Sequence, residues 1–353
     1  MGNSNNKKKS PLFLFFAGFV LVIIIMLFAN QRSSLVEEIY LPFNQGIREL
    51  STYKNSLMAV SSDNKVFVWD WDELSKKPRT GSVESQQVVL LEGDLIASLR
   101  LAGLTKTVVL TNIKGDETHK EISIGSGSEF KAYLCANSSR DVLAVILAGE
   151  ENGAIEPSYQ FLTIDLDAGR ALKVLDVTDQ EGDLQLTDFT ISDDGKFIVG
   201  IGSKSGHTFI LLADLKQKKV VWERTLPDSE RFTSVIFSKG TEALYAGSDN
   251  SLYKVQTDSG ALLSRIQVTE KVETAHKPIP IQYIAVSPDG KMVAVTIFKT
   301  LHIFECETDK NIFKKALGHK LAGALAFSPD SRFVATSDLR QGGTIRVWRI
   351  PEY

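Results

Sequence analysis

Residues Leu317 to Trp348 read LGHKLAGALAFSPDSRFVATSDLRQGGTIRVW. From Leu325 this is an apolar strand, a Ser328-Pro329-Asp330 turn, a second apolar strand, the five residues Leu339 to Gly343, and a third strand closing on Trp348. Pro and Asp pre-set a tight turn, and short apolar runs between such turns read as sequential β-strands. The phrase recurs upstream as FTISDDGKFIVGIGS from Phe189, VIFSKGTEALYAGSDN from Val235 and IAVSPDGKMVAVTIF from Ile284. Ser192, Ser238, Ser287 and Ser328 hold the same place in each, 46, 49 and 41 residues apart. Recurrence at this period means one supersecondary unit stacked repeatedly.

A second landmark is a strand that usually ends in an acidic turn. It reads KVFVWDWDE from Lys65, FLTIDLDAG from Phe161, FILLADLKQ from Phe209, LYKVQTDSG from Leu252, LHIFECETDK from Leu301 and TIRVWRI from Thr344. A further short strand follows several of these, as in VVWERTL at Val220 and ALLSRIQ at Ala261, so each unit has four strands.

These residues resemble the WD40 repeat family. The C-terminal unit carries Gly318-His319, the Ser328-Pro329-Asp330 turn, Asp338 after the second strand and Trp348 closing the third, and Trp69-Asp70 retains the Trp-Asp pair. The stretch from about Ser85 to Leu172 lacks both signatures and is placed only by strand spacing. The resemblance implies an all-β, WD40-like β-propeller with seven blades, expected at 46–84, 85–124, 125–173, 174–227, 228–268, 269–317 and 318–353. Residues 30–353 divide into about 46 per blade for seven and about 40 for eight, and seven sets of strands are visible. The strand VEEIYLPF, Val36 to Phe43, stands ahead of the first blade, and the last blade has three strands. A ring closed by the first strand pairing into the last blade would leave no exposed edge there.

Before the repeats, Leu12 to Ala29 reads LFLFFAGFVLVIIIMLFA, without a polar side chain. Eighteen helical residues span ~27 Å, close to the ~30 Å hydrocarbon core. The segment predicts a single signal-anchor helix over 12–29, between a short basic tail at 1–11 and a linker at 30–35, ahead of the propeller at 36–353. Lys7, Lys8 and Lys9 before it outweigh Arg32 after it, which places the N-terminus in the cytoplasm and the propeller extracytoplasmic. A cleaved signal peptide fits less well, because its apolar region runs ~7–15 residues and ends in a small-x-small site, whereas Leu27 is bulky. Lipidation signals fail too, since Asn6 stands where myristoylation wants Ser or Thr and no Cys is near.

Chemistry is sparse. The 40 basic and 43 acidic residues leave a net charge of −3, without the dense basic face that nucleic-acid binding needs. His319, Asp338 and Trp348, with Ser337 or Thr336, look like a triad, but the resemblance implies a structural hydrogen-bond network within one blade. His119, His207, His276 and His302 are scattered, without metal-ligand spacing. The Asp193-Asp194-Gly195 and Asp165-Leu166-Asp167 turns read as turn chemistry rather than calcium loops. Cys135 and Cys306 fall on nearly opposite blades, too far apart to bridge. No cofactor is expected, and none of the residues forms a nucleophile elbow.

The expected function is therefore a membrane-anchored, non-catalytic scaffold that offers a propeller face to a protein partner. The loop Gly149 to Ser158, GEENGAIEPS, is a candidate contact. The alternative is a propeller enzyme or small-ligand binder with its site at the central channel. That alternative calls for charge on inward-facing first-strand positions, and the first strands TISDD, VIFSK, IAVSP and LAFSP carry none before the turn.

Overall fold

The computed structural model describes residues 34–352 apart from 42–45, 84–86, 104, 114–116, 127–130, 138, 151–156, 179–183, 205, 226–230, 269–279, 319–320 and 341–342. The described chain folds into seven four-stranded antiparallel sheets, numbered here as blades one to seven. The first is β2 (Ile47–Tyr53), β3 (Ser56–Ser61), β4 (Lys65–Asp70) and β5 (Arg79–Ser82), and the second is β6 (Val88–Leu90), β7 (Leu95–Ala102), β8 (Thr105–Asn112) and β9 (Glu117–Ser126). The third holds β10 (Lys131–Ala136), β11 (Leu143–Glu150), β12 (Pro157–Asp165) and β13 (Arg170–Thr178), and the fourth β14 (Gln185–Ile191), β15 (Phe197–Lys204), β16 (His207–Asp214) and β17 (Lys219–Thr225). The fifth holds β18 (Ser234–Phe237), β19 (Ala243–Gly247), β20 (Ser251–Gln256) and β21 (Leu262–Gln267), and the sixth β22 (Ile281–Val286), β23 (Met292–Ile297), β24 (Thr300–Glu305) and β25 (Asn311–Ala316). The last blade joins β26 (Ala322–Phe327), β27 (Phe333–Asp338) and β28 (Thr344–Arg349) to β1 (Leu35–Tyr40).

β1 lies antiparallel to β28, from Leu35 opposite Trp348 to Tyr40 opposite Thr344, so the leading strand supplies the outer strand of the last blade. The Arg346 guanidinium reinforces the join, with Nε donating to Glu38 Oε1 at 2.7 Å and Nη1 to the Leu317 carbonyl at 2.6 Å. Ring closure by this route removes the exposed ladder that an open blade would present.

Each seam between blades is filled by a cluster of buried apolar side chains contributed by both neighbours. Val89 and Leu110 meet Leu134 and Leu147 between blades two and three, and Phe67 and Trp69 meet Ala335 and Val347 where the ring closes. Strands buried on both faces explain the long apolar runs, such as Met292–Ile297, buried throughout. Burial of this area is the main force holding blade to blade.

Two expected boundaries shift. The second blade runs to Ser126, not 124, and the third to Thr178, not 173, because the β12–β13 hairpin pairs outward as far as Ser158 with Thr178. Gly149, Glu150, Pro157 and Ser158 belong to the β11–β12 ladder rather than to a loop, and 151–156 lie outside the described residues. The basic tail, the apolar run 12–29 and most of the linker also lie outside them. Among the described residues no helix is long and apolar enough to cross a membrane.

Candidate functional site at the propeller axis

The first strand of every blade lines the axis, and its outward-facing partner is the second strand of the same blade. Four of these inner strands begin with a β-bulge, in the closing blade between Ala322 and Leu325 and in blades one, four and six at a single residue. Arg48, Thr187 and Gln282 are the extra residues, between Ile47 and Glu49, Leu186 and Asp188, and Ile281 and Tyr283. A bulge re-aims the side chain that follows it. Those side chains are Glu49, Asp188 and Tyr283.

The first strands are therefore not free of charge. The fourth begins at Gln185 and includes Asp188, ahead of the Thr190 at which TISDD was read, and the first carries Glu49. Both carboxylates are half-buried at the axis. Burial pushes Glu49 up to about 7, opposed by Arg140, Arg48 and a hydrogen bond from the Val88 amide. It pushes Asp188 up to about 6, opposed by the Val235 and Phe189 amides and the Ser234 hydroxyl. Tyr283 is raised by burial and by the charges of Glu49 and Asp188, and its hydroxyl donates to the Arg48 carbonyl at 3.4 Å.

These groups act as stitches between blades. Gln87 accepts the Leu134 amide of blade three, and Asp188 Oδ2 accepts the Val235 amide of blade five at 2.9 Å, while the Val88 amide of blade two favours the charged form of Glu49. Tyr159 joins blades three and four, donating to the Leu184 carbonyl at 2.7 Å and accepting the Leu186 amide at 2.9 Å. Hydroxyls serve the remaining seams. Thr233 donates to the Ile281 carbonyl, Thr296 to Gly323 and Ser337 to Ile47. An inner strand has an unpaired edge facing its neighbour, and a buried amide left without a partner is costly, so each stitch satisfies a group the sheet leaves open.

In blades three to seven the turns between first and second strands share one construction. Ser192, Ser287 and Ser328 each donate to an Asp two residues on, at 2.6, 2.5 and 2.6 Å. Each Ser oxygen also accepts the amide five residues ahead, from Phe197, Met292 and Phe333, and Ser238 accepts Ala243 in the same way, all at 2.9 Å. Blade three, without the Ser landmark, uses Asn137, whose Oδ1 accepts the Val142 amide at 3.1 Å. The Asp193-Asp194-Gly195 turn is one of this set.

In the closing blade the Trp348 indole N–H donates to Thr336 Oγ1 at 2.9 Å. Thr336, not Ser337, is thus the hydroxyl paired with the tryptophan, while Ser337 bridges to Ile47 and to the Ala324 carbonyl at 3.3 Å. Asp338 is buried and accepts the Arg340 amide at 3.0 Å, and His319 lies outside the described residues. Trp69 is buried in the core of blade one, and Asp70 takes a two-pronged ion pair from Arg79, at 3.1 and 3.2 Å. Arg79 Nε also stands 2.9 Å from Asp94 of blade two. Among the described residues no three His, Cys, Asp or Glu side chains converge as metal ligands would.

Residues 311–349 match the model of the WD domain, G-beta repeat. That span takes in β25 and the three strands β26 to β28, so the repeat is offset by one strand from the sheet. Three strands of the closing blade thus fall within one match to a WD40 repeat. The propeller resembles the β-propeller domain of Cps50 (Swd1) from Myceliophteria thermophila, with a TM-score of 0.65 over 90% of this chain and 99% of that one, at 14% identity. No curated protein matched the sequence. A likeness at that identity speaks for the fold alone.

Proposed function

We propose that the chain is a membrane-anchored, extracytoplasmic propeller that docks a protein partner and catalyses no reaction. One observation carries the non-catalytic part. On the inner strands, Asp188 is committed to the Val235 amide of the next blade, and the charge of Glu49 is held by Arg140, Arg48 and the Val88 amide of the next blade. A general acid or base must hold its proton for a substrate, and these two hold neighbouring strands instead.

Docking is supported by rigidity, since core clusters and stitches join the blades around a closed ring. Val220 and Val221 on β17 and Leu262 and Leu263 on β21, outer strands of adjacent blades, are exposed apolar pairs of the kind that partner surfaces use. Anchoring rests on the apolar run 12–29 with its lysines. A second reading, a small-ligand site at the channel, is favoured by the cavity described below.

The test is affinity capture of the full-length, C-terminally tagged chain from gently crosslinked membranes, read by mass spectrometry. A reproducible stoichiometric partner is expected, and an accessible bait recovered alone would overturn the docking reading. A reporter enzyme active only outside the cytoplasm, fused after Tyr353, is expected to be active; an inactive fusion would reverse the orientation.

A further inference from the structure

On the face where first strands turn into second strands, the axis opens into a cavity of about 490 Å³. That volume suits a small ligand or a few residues of a peptide. Its walls are apolar, with Leu50, Ile191, Ile236, Phe237, Ile284 and Leu325 among them, and Lys54, Arg140 and Lys239 also line it. Two of these cations have other duties, because Lys54 pairs with Glu92 and Lys239 donates to the Pro288 carbonyl. Arg140 differs.

Arg140 occupies the turn position filled by Gly195 in blade four and Gly290 in blade six, and it holds their left-handed backbone, with φ of 61° against 67° and 76°. Thr241 in blade five and Ser331 in blade seven hold the same position with φ of 66° and 61°, so a side chain is accepted there at a strain of about 1–2 kcal/mol, and of the three only Arg140 carries a charge. Its guanidinium lies over the Tyr53 ring, 5.9 Å from the centroid. Its Nε is buried and has no hydrogen-bond partner among the described residues, and the same is true of the Ser51 hydroxyl, on the first-blade wall. The charge of Glu49 acts on the guanidinium, and Arg140 itself lines the cavity.

We propose that this cavity binds the carboxylate of an apolar acid, with Arg140 as its anchor. The planar guanidinium fork matches a carboxylate, and the walls accept an apolar body. A doubly charged phosphate fits less well, because Asp193 and Glu49 offset part of the positive charge. Two sources share this chemistry: the C-terminus of a partner chain ending in an apolar residue, and a free aliphatic or aromatic acid. The first rests on the docking proposal, and the second stands without it.

The test uses the full chain in lipid nanodiscs and fluorescein-labelled Gly-Gly-Leu-Phe, as free acid and as C-terminal amide, read by fluorescence polarisation. The acid is expected to bind at least tenfold more tightly than the amide. Arg140→Gln is expected to weaken the acid at least tenfold and leave the amide unchanged, and Arg140→Lys to weaken it three- to tenfold. Displacement of the peptide by 3-phenylpropionate at similar concentration assigns the free acid, and its failure to displace assigns the peptide C-terminus. Absence of binding by the acid, equal binding of acid and amide, or an Arg140→Gln chain that is folded and binds normally overturns the assignment. Should either variant fail to fold, the acid–amide comparison on the unaltered chain decides. A partner captured equally by the Arg140→Gln chain leaves docking standing and removes the partner's C-terminus as the occupant of this site.

Discussion

The Asp188 carboxylate of the fourth blade accepts the Val235 amide of the fifth at 2.9 Å, so a titratable group closes the seam nearest the axis. At the seam of blades one and two, Arg140, Arg48 and the Val88 amide favour the charged form of Glu49. Both carboxyls sit above their ordinary range, Asp188 at about 6 and Glu49 at about 7, because burial disfavours the charged form.

Raised carboxyl values make the native chain bind more protons than the unfolded one between pH ~4 and ~7, so stability should fall as pH rises through that window. The penalty is absent below the unfolded values and complete above the folded ones, on the order of 1–3 kcal/mol for each group. Thermal unfolding is expected to give a higher Tm near pH 5 than near pH 8. Asp188→Asn with Glu49→Gln should flatten the slope, since each amide oxygen still accepts its backbone N–H. An unchanged slope would mean that other groups set the pH dependence.

The bulge at Thr187 depends on Gly202 across the ladder. A Cβ at Gly202 would stand 1.9 Å from the Gln185 carbonyl oxygen, so the strands must part. Gly202→Ala is expected to destabilise by about 2–4 kcal/mol and to loosen the Asp188–Val235 stitch. Hydrogen exchange at Val235 is the readout, and protection equal to the unaltered chain would refute the dependence.

Thr336→Val should leave the buried Trp348 indole without its acceptor and cost about 1–3 kcal/mol. Ser337→Ala removes the bridge from the closing blade to Ile47 and is expected to cost about 1 kcal/mol. Urea titration of both variants measures this, and a neutral Thr336→Val would show that the indole finds another partner.

Cys135 and Cys306 are both free, and burial pushes both thiols up. Thiolate is the reactive form. Native protein is expected to react slowly with a thiol reagent at pH 8, and unfolded protein to release two equivalents at once. Fast labelling of the native chain would place the thiols on an open surface.

Local turn chemistry was readable because a hairpin turn is specified by adjacent residues. Ser192, Ser238, Ser287 and Ser328 announced four blades, and VEEIYLPF announced the closing strand. Blade three was obscure because Asn137 does the work of the Ser, and Arg140 stands where a Gly marks the turn in blades four and six. The axial carboxylates escaped for a different reason. A bulge is written across two strands, in Thr187 and in the facing Gly202, so reading one strand alone loses the phase that turns Asp188 inward. The Thr336–Trp348 pair was open for the same cause, since register decides which of two neighbouring residues shares a face with the indole.

The join between Glu38 and Arg346 also sets an order of events during synthesis. These partners are 308 residues apart in sequence, which at about 5–20 residues per second is roughly 15–60 s of elongation. For that interval the sealing strand exists without its complement, and every other blade can form before it is used. Glu37 and Glu38, side by side within LVEEIY, put negative charge on a segment that would otherwise be a sticky β-edge in waiting. The acidic pair thus protects the nascent chain from mispairing, and one of its members later becomes the clasp.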